Sequence, residues 1–227
     1  DIKKPLISFH LFNEEKKQDE IVDMVKNGKT LALISDAGTP LISDPGESLV
    51  KRFRDEGLIV SPIPGPSSLI AALSASGLPA SPFQFFGFMP RTHQERNIAL
   101  TKAALFEGTT IFFESAERIH EVLERILITG PDWEIVIARE LTKTYEEFLH
   151  GRAQEHLDRL QEKKLKGELV LLVNPRQDPL QNQLQELSPK ELVDSLTKHF
   201  ELPLKEAIKI AASLKGLPKQ KIYKEYH

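Results

Sequence analysis

The chain has 227 residues, 40% hydrophobic and 28% charged, enough apolar material for one large domain or two small ones plus an appendage. Its net charge of −3 argues against a broad electrostatic grip on nucleic acid, so an RNA partner must be met by a local patch or arrive already folded and presented. The absence of cysteine excludes disulfides, thiolate metal sites and cysteine nucleophiles; no apolar stretch reaches the ~18 residues of a membrane span, and no signal-peptide pattern is visible.

The chain opens with Asp1, partway into the approach to a strand, and its expected N-terminus lies upstream. Residues 6–10 read as that strand. Residues 17–27 read as a helix, with Ile21, Met24 and Val25 on one face and Asn27-Gly28 as its stop. Residues 30–35 form a continuous apolar run that suits a strand buried on both faces. The stretch 34–46 then changes character. Gly38 and Gly46 permit backbone conformations that other residues avoid, and Pro40 and Pro45 fix φ and withhold a donor. A helix over 47–56 buries Leu49, Val50 and Phe53, and a strand follows at 58–63. Pro64-Gly65-Pro66 breaks it, and Ser67 stands at the N-cap of a small-residue helix over 68–76. Strand and helix alternating with short joints indicate parallel βαβ units. In open α/β sheets ligands sit outside the carboxyl ends of the strands, so the loop 34–46 is a candidate ligand wall. The alternative is a βα turn, but such turns usually take about 2–6 residues.

Ala80-Ser81-Pro82 reads as a hinge. Strands are expected at 83–88, 109–113, 134–138, 145–149 and 169–173, with helices at 95–106, 116–128 and 154–164. This less regular alternation predicts a mixed sheet. Residues 174–187, rich in Gln, Asn, Pro and Asp, read as a linker. Helices over 188–199, 204–214 and 218–226 close the chain. Ser188-Pro189 supplies the N-cap and first turn of the first, and the last two, around Gly216, resemble a helix-turn-helix. From residue 203 onward six lysines face two glutamates, a local balance of +4. That element either contacts nucleic acid or is a solvated cap. The fold class is therefore α/β: an N-terminal lobe with a parallel sheet (1–81), a second lobe with a mixed sheet (82–175), and a linker with a helical tail (176–227).

Three stretches point to one family: Ser35-Asp36-Ala37-Gly38-Thr39-Pro40-Leu41-Ile42-Ser43-Asp44-Pro45-Gly46, Pro64-Gly65-Pro66-Ser67-Ser68, and Ala138-Arg139-Glu140-Leu141-Thr142-Lys143 followed by Glu146-Glu147. Phe113-Glu114-Ser115-Ala116-Glu117-Arg118 and residues 167–173 add two matches in order. Together they resemble the bacterial ribosomal RNA small subunit methyltransferase I family, within the tetrapyrrole methylase superfamily. The chain departs from the family at Ala116-Glu117-Arg118, where Pro-His-Arg is frequent, and nothing in it matches the family's leading glycine-containing loop. The resemblance implies two α/β lobes of tetrapyrrole methylase type with S-adenosylmethionine in the cleft between them. It also implies 2′-O-methylation of a cytidine in the decoding region of small-subunit rRNA, a homodimer, and a cytoplasmic location.

By family position, Ala37, Gly38, Thr39 and Ile42 fall on the cofactor wall. Ser67 and Ser68 stand at a helix N-terminus, where free N–H groups favour the carboxylate of the cofactor's methionine end. Phe113 and Leu169 match cofactor-contacting strand ends, though each would equally serve as core. A ribose hydroxyl is a poor nucleophile until its proton leaves; Asp36, Glu114 and Glu140, at predicted strand ends, are the candidate bases. Arg118 and Arg139 are candidates for RNA phosphates, or simply partners of nearby acids. No His-Glu-x-x-His spacing occurs and no catalytic metal is expected. Two rival readings remain: the same fold methylating a tetrapyrrole or other small molecule or protein, and a non-catalytic ribosome-binding protein, which would bind no cofactor.

Overall fold

The computed structural model describes residues 3–36, 38–175, 184 and 186–226. By packing, the chain divides into two compact units, Asp1–Ser68 and Leu69–His227.

In the first unit α1 (Glu14–Lys26) and α2 (Glu47–Asp55) enclose a small core of Ile21, Val22 and Leu49, flanked by Phe9, Phe53 and Leu58. Polar contacts tie the two helices together. Gln18 Nε2 donates to Ser48 Oγ at 2.6 Å, and Arg52 pairs with Asp19 at 2.7 Å and with Glu56 at 2.9 Å. None of this unit's described residues lies in a strand, so the segments expected at 6–10, 30–35 and 58–63 do not form a sheet. Leu6, Ile59 and Ile63 are 89%, 88% and 86% exposed. A strand has no hydrogen bonds of its own and exists only where a neighbour completes its ladder. Apolar runs reveal the propensity for a strand and not the presence of a partner.

The second unit is built on a five-stranded mixed sheet: β1 (Phe83–Phe88), β2 (Thr109–Ser115), β3 (Glu134–Arg139), β4 (Glu147–Gly151) and β5 (Glu168–Asn174), in the order β1-β2-β5-β3-β4. β1 and β2 are parallel; every other pairing is antiparallel. The uninterrupted apolar run of β5 is explained by its central place, buried on both faces. On one face Phe112, Ile135, Ile137, Leu171 and Val173 pack against α4 (His93–Ala104), α5 (Ile119–Thr129) and α6 (Ala153–Glu162). On the other, Ile111, Val136, Ala138, Val170 and Leu172 meet Leu69, Ala72 and Leu73 of α3 (Ser68–Ala75). Gly108 is required where β2 begins, since a Cβ there would lie 2.2 Å from the Pro82 carbonyl oxygen.

The closing helices α7 (Pro189–Lys198), α8 (Leu204–Lys215) and α9 (Lys219–Tyr226) form as the sequence indicates. Ser188 and Glu191 make a reciprocal capping box with Pro189 in the first turn, and Gly216 closes α8 in the left-handed conformation. Leu192, Val193, Leu196, Phe200, Ala207, Ile208, Ala211 and Ile222 belong to the same buried cluster as the helix-covered sheet face. Glu201, at φ 53°, turns its carboxylate to Arg125 at 3.4 Å and accepts from Asn97 Nδ2 at 3.3 Å. The tail is therefore part of this unit's core.

Candidate functional site

In the first unit the loop after residue 35 has the irregular backbone its composition predicts. Gly38 (φ 74°), Leu41 (φ 70°), Ser43 (φ 67°) and Gly46 (φ 129°) all lie in the left-handed region. Two of them are not glycine, a strained arrangement that surrounding contacts must hold. Gly46 is also required by space, since a Cβ there would come within 2.9 Å of Leu33 Cδ2. Among the described residues of 38–45 one backbone–backbone hydrogen bond forms, from Ile42 N–H to the Thr39 carbonyl at 3.3 Å. The other N–H and C=O groups are left for side chains, water or a ligand. The Thr39 hydroxyl donates to the Pro66 carbonyl at 2.8 Å, fastening the loop to the Pro-Gly-Pro turn that leads into α3. Two of the family-like stretches thus meet. Asp36 and Ile42 are exposed, Ser67 and Ser68 are half-buried beside the α3 N-terminus, and Ala37 lies outside the described residues. This donor set, with backbone groups of both signs, an exposed apolar side chain and a helix N-terminus, fits a zwitterionic nucleoside such as S-adenosylmethionine.

In the second unit the carboxyl ends of β1, β2 and β3 gather the remaining residues. Glu114, Leu169 and Arg139 lie in one row across β2, β5 and β3. Leu169 is buried in the helix-covered core, whereas Phe113, one residue before Glu114, faces the α3 side; the two do not share a face. Glu114 is buried, with Oε2 3.1 Å from Arg118 Nη2 and Oε1 accepting the Ser115 N–H at 2.7 Å. Burial pushes its carboxyl above the ordinary range, opposed by the Ser115 N–H and Arg118. Arg118 also donates to the carbonyls of Met89 (2.7 Å) and Pro90 (3.1 Å), clamping the loop after β1.

Arg139 is committed to Glu147, with Nε 3.0 Å and Nη2 2.8 Å from its Oε2. Glu140, at φ 50°, accepts the Glu168 N–H at 3.0 Å and Lys143 Nζ at 2.9 Å. These two contacts, the backbone donor first, hold its carboxyl below the ordinary range. Gly167 makes room for it, since a Cβ there would lie 2.3 Å from Glu140 Oε1.

One exposed side chain at these strand ends escapes the sequence reading. Phe88, at the end of β1, is 60% exposed. The register of β1 on β2 shifts between Phe85 and Phe88, with Gly87 at φ 75°. A glycine inside an aromatic strand was the available signal, since it often marks a bulge that re-aims its neighbour.

The sequence match, rather than the sheet alone, places the chain among the tetrapyrrole methylases. Residues 3–157 match the model of the family described as Tetrapyrrole (Corrin/Porphyrin) Methylases. The fold is shared with the methyltransferase CobJ (TM-score 0.55, 19% identity, 71% of each chain) and with diphthine synthase (TM-score 0.58, 15% identity, 75% of this chain and 69% of that one). Ribosomal RNA small subunit methyltransferase I of Halalkalibacterium halodurans is 41% identical over 230 residues, covering all of this chain and 79% of the relative. Its counterpart in Vibrio cholerae is 42% identical over 227 residues, 99% of this chain and 78% of the relative. The chain belongs to the ribosomal RNA small subunit methyltransferase I family.

Proposed function

We propose that the protein transfers a methyl group from S-adenosylmethionine to the ribose 2′-hydroxyl of a cytidine in small-subunit ribosomal RNA, acting as a cytoplasmic homodimer. The observation that carries this reading is the identity of about two residues in five along the whole chain to proteins named for that RNA. A uroporphyrin-III C-methyl transferase from Thermus thermophilus with the same fold (TM-score 0.51, 16% identity, 71% of this chain and 73% of that one) was solved with S-adenyl homocysteine, which supports the cofactor.

When bound, S-adenosylmethionine supplies an electrophilic methyl on a sulfonium. The chain's part is to bind, orient and take a proton. In this reading Ala37, Gly38, Thr39 and Ile42 hold the cofactor through loop backbone and the Ile42 side chain, while Ser67 and Ser68 present the first N–H groups of α3 to its carboxylate. Phe113 and Leu169 support the strand ends within their own unit. Asp36 is the proposed acceptor of the hydroxyl proton, because it is exposed in the loop while the other two carboxylates are engaged. Glu114 and Glu140 then hold backbone, and Arg139 fixes the end of β3 through Glu147.

The test incubates the protein with methyl-labelled cofactor and small ribosomal subunits, then hydrolyses the RNA in alkali. A 2′-O-methyl group removes the attacking hydroxyl, so one resistant bond following a cytidine is expected. Label on a base, or on an added tetrapyrrole instead, would overturn the reading. Absence of cofactor binding in a calorimetric titration would leave a non-catalytic ribosome-binding protein.

A further inference from the structure

We propose that Phe88 is a stacking platform for an unpaired nucleobase of the RNA substrate, a positioning residue that holds the RNA on the second unit; this rests on the RNA-methylating reading above. Phe88 leaves β1 at the carboxyl ends of the parallel pair β1 and β2, where ligands of α/β sheets collect. The irregularity at Gly87 turns its ring outward, and it remains 60% exposed. The ring is nevertheless fixed. It meets Phe113 edge-to-face at 5.6 Å between centroids, and Phe113 meets Phe85 in the same way at 4.9 Å. The backbone beyond it is fixed as well. Met89 N–H donates to the Phe113 carbonyl at 2.9 Å, and Arg118 holds the carbonyls of Met89 and Pro90 while pairing with buried Glu114.

A ring held this firmly with one face in water suits a flat π-surface, and single-stranded RNA is recognised by stacking unstacked bases on such rings. Arg91, exposed three residues further on, carries the positive charge that complements the adjoining phosphate. The occupant is therefore a nucleobase with its phosphate, rather than an apolar peptide.

The experiment measures steady-state methylation of small subunits by Phe88→Ala, Phe88→Leu, Phe88→Tyr and Phe88→Trp, with cofactor affinity and melting temperature measured in parallel. The expected result is a KM for the subunit raised about tenfold in Phe88→Ala and Phe88→Leu. Phe88→Tyr and Phe88→Trp should stay near wild type, with cofactor affinity and melting temperature unchanged throughout. Wild-type kinetics in Phe88→Ala, or rescue by leucine equal to that by tryptophan, would overturn the proposal. So would a loss that tracks melting temperature or cofactor affinity. If wild type itself fails to methylate the subunit, the functional reading falls first, an outcome separate from an active enzyme indifferent to position 88.

Discussion

The Thr39 hydroxyl donates to the Pro66 carbonyl oxygen at 2.8 Å, joining a loop to a turn 27 residues away. Both residues are exposed, so the bond competes with water and contributes on the order of 0.5–1 kcal/mol. Thr39→Val should lower affinity for S-adenosylmethionine about two- to fivefold, and Thr39→Ser should not. Isothermal titration of the three proteins checks this; equal affinities would remove the bond from the binding site.

Gly38 tests whether the same loop is demanding in space or in backbone. A Cβ at Gly38 would meet nothing within 4 Å, but its φ of 74° disfavours a side chain and most of all a β-branched one. Gly38→Val should lower cofactor affinity tenfold or more by moving the loop, while Gly38→Asn, which tolerates this region, should stay within about threefold of wild type. A titration in which both variants lose affinity equally would point to crowding by the ligand itself.

Arg118 is expected to matter for stability as much as for activity. Arg118→Met leaves Glu114 buried without its cation and two loop carbonyls without a donor, a cost of about 2–4 kcal/mol when the side chain's partial exposure is discounted. Adding Glu114→Gln should recover part of that loss, because the orphaned charge is gone. Urea unfolding of the single and double variants gives the coupling; strict additivity would mean the pair does not interact.

His156 makes folding sensitive to mild acid. It is buried in α6 with Nε2 3.3 Å from the Ile135 carbonyl, and burial, the main cause, lowers its pKa below the ordinary 6.5. Below pH 6.5 the unfolded chain takes up a proton that the folded one refuses, so stability is full above that pH and declines as the solution is acidified towards the lowered value. His156→Phe should flatten the slope of unfolding free energy as pH falls below 6.5, whatever its effect at neutral pH. An unchanged slope would assign the acid sensitivity elsewhere.

The tail calls for surface substitutions rather than deletion. Removing 188–227 would strip Leu192, Leu196, Phe200 and Ile222 from the shared core. Lys221 and Lys224 are exposed on α9, one helical turn apart. Lys221→Glu with Lys224→Glu should raise the KM for small subunits several-fold and weaken its dependence on salt, leaving cofactor affinity untouched. Unaltered kinetics at low salt would make α9 a cap.

Local chemistry was legible wherever it acts within a few residues. Ser188 and Pro189 announced a helix start, and the run 169–173 announced an apolar strand, because each signal is complete in the segment that carries it. Signals that need a partner were not. The apolar runs at 6–10, 30–35 and 58–63 could not reveal that no ladder neighbour accompanies them among the described residues. Glu114 and Glu140 looked like free bases at strand ends; only the fold brings the Glu168 N–H to Glu140 and places Glu114 and Arg118 under the Met89–Pro90 carbonyls. Phe88 was hidden for a related reason, since alternation along a strand assigns a side chain to a face only until a bulge resets it.

Glu201, held by Arg125 of α5 and Asn97 of α4, seats the last helices on the helical layer that covers the sheet, all of it made earlier in the chain. During synthesis the outer side of that helical layer stays uncovered until α9 has left the ribosome. A nascent copy stalled before residue 188 is therefore a natural client for a chaperone, and an enzyme that matures ribosomes depends on one of them finishing its sentence before its own fold can close.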